Sequence, residues 1–230
     1  MSLKRATSDL AAGKFVLLHD SDGRENEVDM VIGAEFVEWQ HIARMRTDGG
    51  GLICVALHPI IAENLGLPYL ADVYASCSDR FAVFGAITPN DIPYDERSAF
   101  SISVNHRRTF TGVTDADRAL TIKELSGIAT RAMRERCVEE VGRNFRSPGH
   151  VHLLRAVDGL LDARRGHTEL GVFLAELAGI TPAVALCEML DASTGGALSV
   201  EKAEVYAKRN GLALVDGSEV FDEFRRRTTE

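Results

Sequence analysis

The chain has 230 residues, 45% apolar and 26% charged, a balance that suits a globular fold and excludes a disordered or fibrous one. Its 26 basic and 34 acidic residues leave a formal charge of −8, which argues against nonspecific binding to nucleic acid or to a membrane surface, yet permits a local arginine site for phosphate. Cys54, Cys77, Cys137 and Cys187 form no C-x-x-C pair, so no zinc or thioredoxin-like site is signalled. The longest apolar stretch, Leu52 to Ile61, is broken by His58 and Pro59 and is too short to span a bilayer. Lys14 interrupts any signal-peptide core, so the expected location is the cytoplasm.

In chain order, Phe15–Leu18 reads as a short strand, followed by the turn-prone Asp20-Ser21-Asp22-Gly23. A second strand starts near Val28 and runs through Ile32. Glu38–Arg46 reads as a helix, and Gly49-Gly50-Gly51 leads into a buried strand at Leu52–Leu57. Ile60–Leu65 suggests a short helix, and Pro68–Asp79 shows no clear period. Phe81–Ile87 and Phe100–Val104 read as strands, separated by a polar loop with Pro89 and Pro93. Asp115 reads as the cap of a helix that continues to about Arg136. His150–Arg155 and Ala183–Leu190 read as strands flanking a helix at Thr168–Leu177. Ser199 caps a further helix ending at Gly211, then a strand covers Leu212–Val215 and a helix Glu219–Arg226. Helices and strands mix without a regular βαβ rhythm. The expectation is one α+β domain, 1–230, with a mixed sheet sandwiched between helical layers.

Three segments carry chemistry. In Asp20–Asp29 five carboxylates share ten positions with Arg24. If the chain is extended from Glu25, then Glu25, Glu27 and Asp29 point to one face, repel one another, and invite a hard cation such as Mg²⁺. Alone, such a segment also reads as a solvated loop. The second is Arg164-Arg165-Gly166-His167-Thr168-Glu169, preceded by His150. A helix start after glycine, with an arginine and the Thr168 hydroxyl, makes a phosphate cradle, and His167 offers a metal ligand or a base. The bland alternative is an N-cap Thr168 beside a surface histidine. The third is Glu188, an acid ending an apolar strand, which is costly to bury unless it has a function or a partner, and otherwise faces solvent at an edge.

Together and in this order these segments resemble the 3,4-dihydroxy-2-butanone 4-phosphate synthase family. The resemblance rests on Asp22–Asp29, Thr111-Gly112-Val113 with Asp117-Arg118, Arg146 and Pro148-Gly149-His150-Val151, Arg164 with Gly166–Glu169, and Leu186-Cys187-Glu188. Val28 departs from the glycine frequent in bacterial members and suggests an archaeal type. Some members are fused to a second riboflavin-pathway enzyme, for which 230 residues leave no room. The resemblance implies a cytoplasmic homodimer with active sites near the subunit interface, acting on ribulose 5-phosphate. It implies Mg²⁺ on Glu25 and His167, with Mn²⁺ as a substitute, and proton transfer by His150 and Glu188. Arg24, Glu25, Glu27, Asp29, Thr111, Arg164, Gly166, His167 and Thr168 are expected to contact substrate, and Cys54 to line the pocket. The competing readings are a metal-dependent sugar-phosphate isomerase, which would release no formate, a nucleotide- or RNA-binding module, which would need a basic groove, and an inactive relative.

Overall fold

A seven-stranded mixed sheet frames the described residues, 3–88 and 91–229, of this computed structural model. Helix α1 (Leu3–Ala11) precedes strands β1 (Val16–His19) and β2 (Val28–Gly33), and α2 (Trp39–Arg44) precedes β3 (Cys54–Leu57). Helices α3 (Pro59–Asn64), α4 (Leu70–Ser76) and α5 (Ala82–Ala86) form an excursion before β4 (Phe100–His106). The chain continues through α6 (Asp115–Ala132), α7 (Val138–Asn144), β5 (Phe145–Arg155), α8 (His167–Ala178) and β6 (Ala183–Glu188). The small ribbon β7 (Leu190–Asp191) and β8 (Gly196–Ala197) leads to α9 (Val200–Asn210), β9 (Ala213–Asp216) and α10 (Gly217–Thr229). Strand order is β4-β5-β3-β6-β2-β1-β9, with β3–β5 and β1–β9 parallel and the remaining pairs antiparallel.

Alternation along the strands divides the core in two. Leu17, Met30, Ile32, Val55, Leu57, Ala185 and Cys187 face one layer, with Ile122, Leu125 and Ile128 of α6. Val16, Leu18, Val31, Cys54, Ala56, Val184 and Leu186 face the other, with Leu170, Val172 and Leu174 of α8 and flanking side chains of α1 and α10. Because both faces are covered, the strands read as unbroken apolar runs rather than apolar–polar alternations. Helix α8 lies between the sheet and α1 and α10, so its residues His167–Ala175 are all buried and it has no polar stripe over that length. The expected α+β architecture, a mixed sheet between helical layers, is the one observed.

Some local expectations differ from the structure. Phe81–Ile87 is not a strand but α5, whose Phe84 ring stacks on Tyr74 of α4 at 4.6 Å, with Val83 and Ile87 exposed. A short apolar run carries no period of its own, and neighbours decided this one. The chain is not extended from Glu25, because Asn26 adopts a left-handed φ of 54° and β2 begins only at Val28. Helix α6 is capped by Thr114, whose hydroxyl accepts from the Asp117 N–H, rather than by Asp115. The strand expected at His150–Arg155 is the end of the longer β5, and α1, α4 and α7 carried no recognised signal. Pro89 lies outside the described residues.

Candidate functional site

Asp20 organises the acidic loop between β1 and β2. It is 2% exposed, and its carboxylate accepts the backbone N–H groups of Glu25 (3.0 Å) and Glu27 (3.2 Å) and the Arg24 guanidinium (3.3 Å). Burial raises the Asp20 pKa, but His167 and the backbone amides hold it below the ordinary aspartate value. The Asn26 side chain ties the left-handed turn to His19 at 3.1 Å, and His19 reaches Asp216 of β9 at 2.8 Å. The loop thereby wraps against the first turn of α8. There His167 donates to Glu25 Oε2 through Nδ1 (3.2 Å) and to the Glu27 carbonyl through Nε2 (3.2 Å). Burial disfavours a charged imidazole, yet the carboxylates of Asp29, Glu25 and Asp20 push His167 up to about 9. The nest is therefore strongly negative and favours a cation.

Asp29 and Glu188 are register partners on adjacent strands β2 and β6 and belong to the sheet face covered by α8. Burial pushes Asp29 up to about 7, with Glu188, Glu27 and Glu25 adding to the effect and His167 opposing it. Its Oδ1 has no hydrogen-bond partner and lies 3.7 Å from His167 Nε2. Glu27 is likewise raised, by burial and then by Glu25. Glu25 is net lowered, because His167 and Arg24 outweigh the cost of its burial. Glu188 accepts the Leu52 N–H at 2.7 Å through Oε2, while its carbonyl accepts the Gly51 N–H at 3.1 Å. That close crossing requires glycine at position 51, since a Cβ there would lie 2.7 Å from Glu188 Cβ and 2.8 Å from its carbonyl oxygen. Gly51→Ala is expected to turn the Glu188 side chain away and lower kcat about 100-fold, with KM moving less, because small misplacements of a reacting group carry costs of that order. Steady-state kinetics on the folded variant check this, and an unchanged kcat would contradict the placement.

Beside the acidic nest, Arg24 and Arg164 converge on Asp95, at 2.5 Å and 2.6 Å, and Arg164 also pairs with Glu169 at 2.6 Å. Gly166 sits between the two guanidiniums, where a Cβ would come within 2.8 Å of Arg164 Cζ and of Arg24 Nη2. It is the N-cap of α8 and Thr168 is not, so the Thr168 side chain is free of that role and lines the cavity. Burial and the carboxylates of Asp29 and Glu188 leave the Cys54 thiol un-ionised, its pKa raised far above the ordinary value. A cavity of about 190 Å³ joins these parts, lined by Glu25, Asp29, Cys54, Arg164, His167, Thr168 and Glu188.

Nine of the expected site residues thus converge: Arg24, Glu25, Glu27, Asp29, Arg164, Gly166, His167, Thr168 and Glu188. His150 and Thr111 do not line this cavity. The His150 N–H donates to Asn105 Oδ1 at 2.8 Å, and the Thr111 hydroxyl donates to Asp117 at 3.3 Å. Two residues of the site carried no assigned role in the sequence, Asp20 and Asp95. Asp20 was visible only as one more acid of its loop. Asp95 lies 69 residues from Arg164 in sequence, with no periodic signal to join them. Among the described residues Asp20, Glu25 and His167 offer ligand atoms within 4.8 Å of one another.

The sequence model of a family described as 3,4-dihydroxy-2-butanone 4-phosphate synthase matches residues 4–223. The chain is 49% identical over 222 residues to the 3,4-dihydroxy-2-butanone 4-phosphate synthase of Methanothermobacter thermautotrophicus, covering 96% of this chain and 95% of that one. It is 51% identical over 215 residues to that of Archaeoglobus fulgidus, covering 93% and 90%. Both relatives are archaeal, in line with the reading of Val28. A solved 3,4-dihydroxy-2-butanone 4-phosphate synthase in complex with two magnesium ions superposes with a TM-score of 0.78 at 30% identity, over 98% of this chain and 97% of that one.

Proposed function

This chain belongs to the 3,4-dihydroxy-2-butanone 4-phosphate synthase family of riboflavin biosynthesis, and we propose that it releases carbon 4 of ribulose 5-phosphate as formate, the whole chain acting as one catalytic domain in the cytoplasm. Among the described residues no helix is long and apolar enough to cross a membrane. The observation that carries the reading is a single cavity lined by two chemically different sets of groups. Glu25, Asp29, Glu188 and His167 make up what we read as its acidic end, and Arg164 with Thr168 its basic end. A sugar phosphate matches both, with hydroxyls and a carbonyl at the acidic end and phosphate at the basic end.

Mg²⁺ fits the acidic end: Asp20, Glu25 and His167 bring ligand atoms within 4.8 Å of one another, and the buried Asp29 Oδ1 lacks a hydrogen-bond partner. Glu25 and His167, its imidazole giving up a ring proton to the solvent, would hold it, with Asp20 fixing the loop, and the nitrogen donor also admits Mn²⁺. When bound, the cation supplies Lewis-acid polarisation of the substrate carbonyl. Glu188, at the cavity wall, moves a proton at its free carboxylate oxygen, while Oε2 stays on the Leu52 N–H. Asp29, whose Oδ1 has no hydrogen-bond partner, lies at the cavity wall and contacts substrate hydroxyls together with Arg24 and Glu27. Arg164 and Thr168 anchor the phosphate and so orient the reacting carbons. Formate separates this reading from an isomerase, which conserves all five carbons.

His150 and Thr111 enter through a homodimer. Phe110, beside Thr111, is 93% exposed, and Val113 is exposed as well, so this face carries apolar area suited to a second copy. In such a dimer His150 and Thr111 complete the partner's cavity, His150 as the second proton-transfer group and Thr111 on the phosphate. Mixing inactive His150→Ala and Glu188→Gln proteins after subunit exchange should then restore about a quarter of wild-type activity, because half the dimers are mixed and each holds one intact site. Formate assays on the mixture check this. No recovery, with mixed dimers demonstrated, places His150 in its own chain's site.

A further inference from the structure

We propose that Asp95 is a built-in competitor for the anion cradle, which keeps weakly bound anions such as inorganic phosphate out of the site while admitting the full substrate. The proposal rests on the reading of Arg164 and Thr168 as the phosphate anchor. One oxygen, Asp95 Oδ2, receives three charged donors: Arg24 Nη2 at 2.5 Å, Arg164 Nη2 at 2.6 Å and Arg164 Nε at 3.1 Å. Arg164 turns both Nε and Nη2 onto that oxygen, the pair of donors that one oxygen of a bound phosphate would take. The Asp95 side chain is 9% exposed and lies at the cavity wall with Tyr94, whose ring sits under Arg24 at 5.2 Å.

The other partners of these arginines are fixed. Asp20 is held by two backbone amides, Glu25, 3.0 Å from Arg24, is held by His167, and Glu169 is fully buried in α8 and also accepts the Val157 N–H at 3.1 Å. Asp95 belongs instead to the segment between α5 and β4, and residues 91–99 of that segment carry neither helix nor strand. Among the described residues its side-chain hydrogen bonds go to these two arginines alone, so it can leave the cradle without unfolding a regular element or breaking a bond to the backbone. Displacing it weakens every incoming anion by the same factor. A ligand with no other handle then drops out of the site, whereas a sugar phosphate still gains its contacts at the acidic end. A carboxylate brings one negative charge and a phosphate close to two, so a phosphate can take the place of Asp95, and the contacts at the acidic end decide which phosphate stays.

Isothermal titration with inorganic phosphate tests this on wild type, Asp95→Asn, Asp95→Ser and the double variant Asp95→Asn/Arg164→Gln, each checked for folding by thermal unfolding. Both single variants should bind phosphate at least about tenfold more tightly than wild type, and the double variant should lose that gain. Equal or weaker binding by the folded single variants, with binding lost in the double variant, overturns the role of Asp95 and leaves the cradle standing. A double variant that binds as tightly as Asp95→Asn overturns the cradle itself, and the proposal with it.

Discussion

Replacing Glu188 with Gln is expected to lower the rate of formate release about 10³-fold, in the range that positioned acid–base groups supply, while the protein stays folded. The side chain sits at the end of β6, opposite Asp29 in register and facing the cavity. The amide oxygen of Gln can still accept the Leu52 N–H that now lies 2.7 Å from Oε2, so the geometry is kept and only the titrating group is lost. The loss should fall on kcat and leave KM nearly unchanged, because Arg164 and Thr168, the proposed phosphate anchor, are untouched. Steady-state kinetics with a circular-dichroism spectrum decide it. A folded variant with near-normal kcat removes Glu188 from proton transfer.

His167→Ala is expected to have a comparably large effect through a different quantity. His167 sits where the acidic loop meets α8, donates to Glu25 and the Glu27 carbonyl, and is pushed up to about 9 by the carboxylates around it. Without the imidazole the remaining donors are carboxylates that repel one another, so apparent Mg²⁺ affinity should fall at least about 100-fold, the upper range seen even for groups that only orient metal ligands. A ligand that binds only the folded state raises its melting temperature, so thermal unfolding with and without Mg²⁺ reads the site independently of turnover. Wild type should be stabilised by Mg²⁺ and the variant should not. Equal stabilisation of both would take His167 out of the ligand set.

The sequence makes legible those parts of the site that local rules dictate. Glu188 stands out because an acid ends an apolar strand. Arg164 through Thr168 stand out because glycine precedes a helix start. The acids of Asp20–Asp29 are visible as a cluster, but the extended-strand argument for their convergence fails. A left-handed turn at Asn26 and the backbone amides on Asp20 bring Glu25 to His167 instead. Asp95 was not legible, because its pairing with Arg24 and Arg164 spans 71 and 69 residues and leaves no period. For the fold, runs such as Val28–Ile32 and Ala183–Cys187 declare themselves because both sheet faces are buried. Phe81–Ile87 misleads because its apolar side chains pack on α4 at the surface, not in the sheet. His150 and Thr111 reach the account through family resemblance, and the fold of one chain leaves them outside the cavity.

The central claim is carbon loss from a metal-supported sugar phosphate, and ribulose 5-phosphate labelled with ¹³C at carbon 4 tests it most directly. With Mg²⁺ the label should appear in formate alone, leaving the four-carbon product unlabelled, and EDTA should abolish the signal. Folded protein that leaves the label in a five-carbon sugar phosphate, or yields no labelled formate with any divalent cation, would contradict the account.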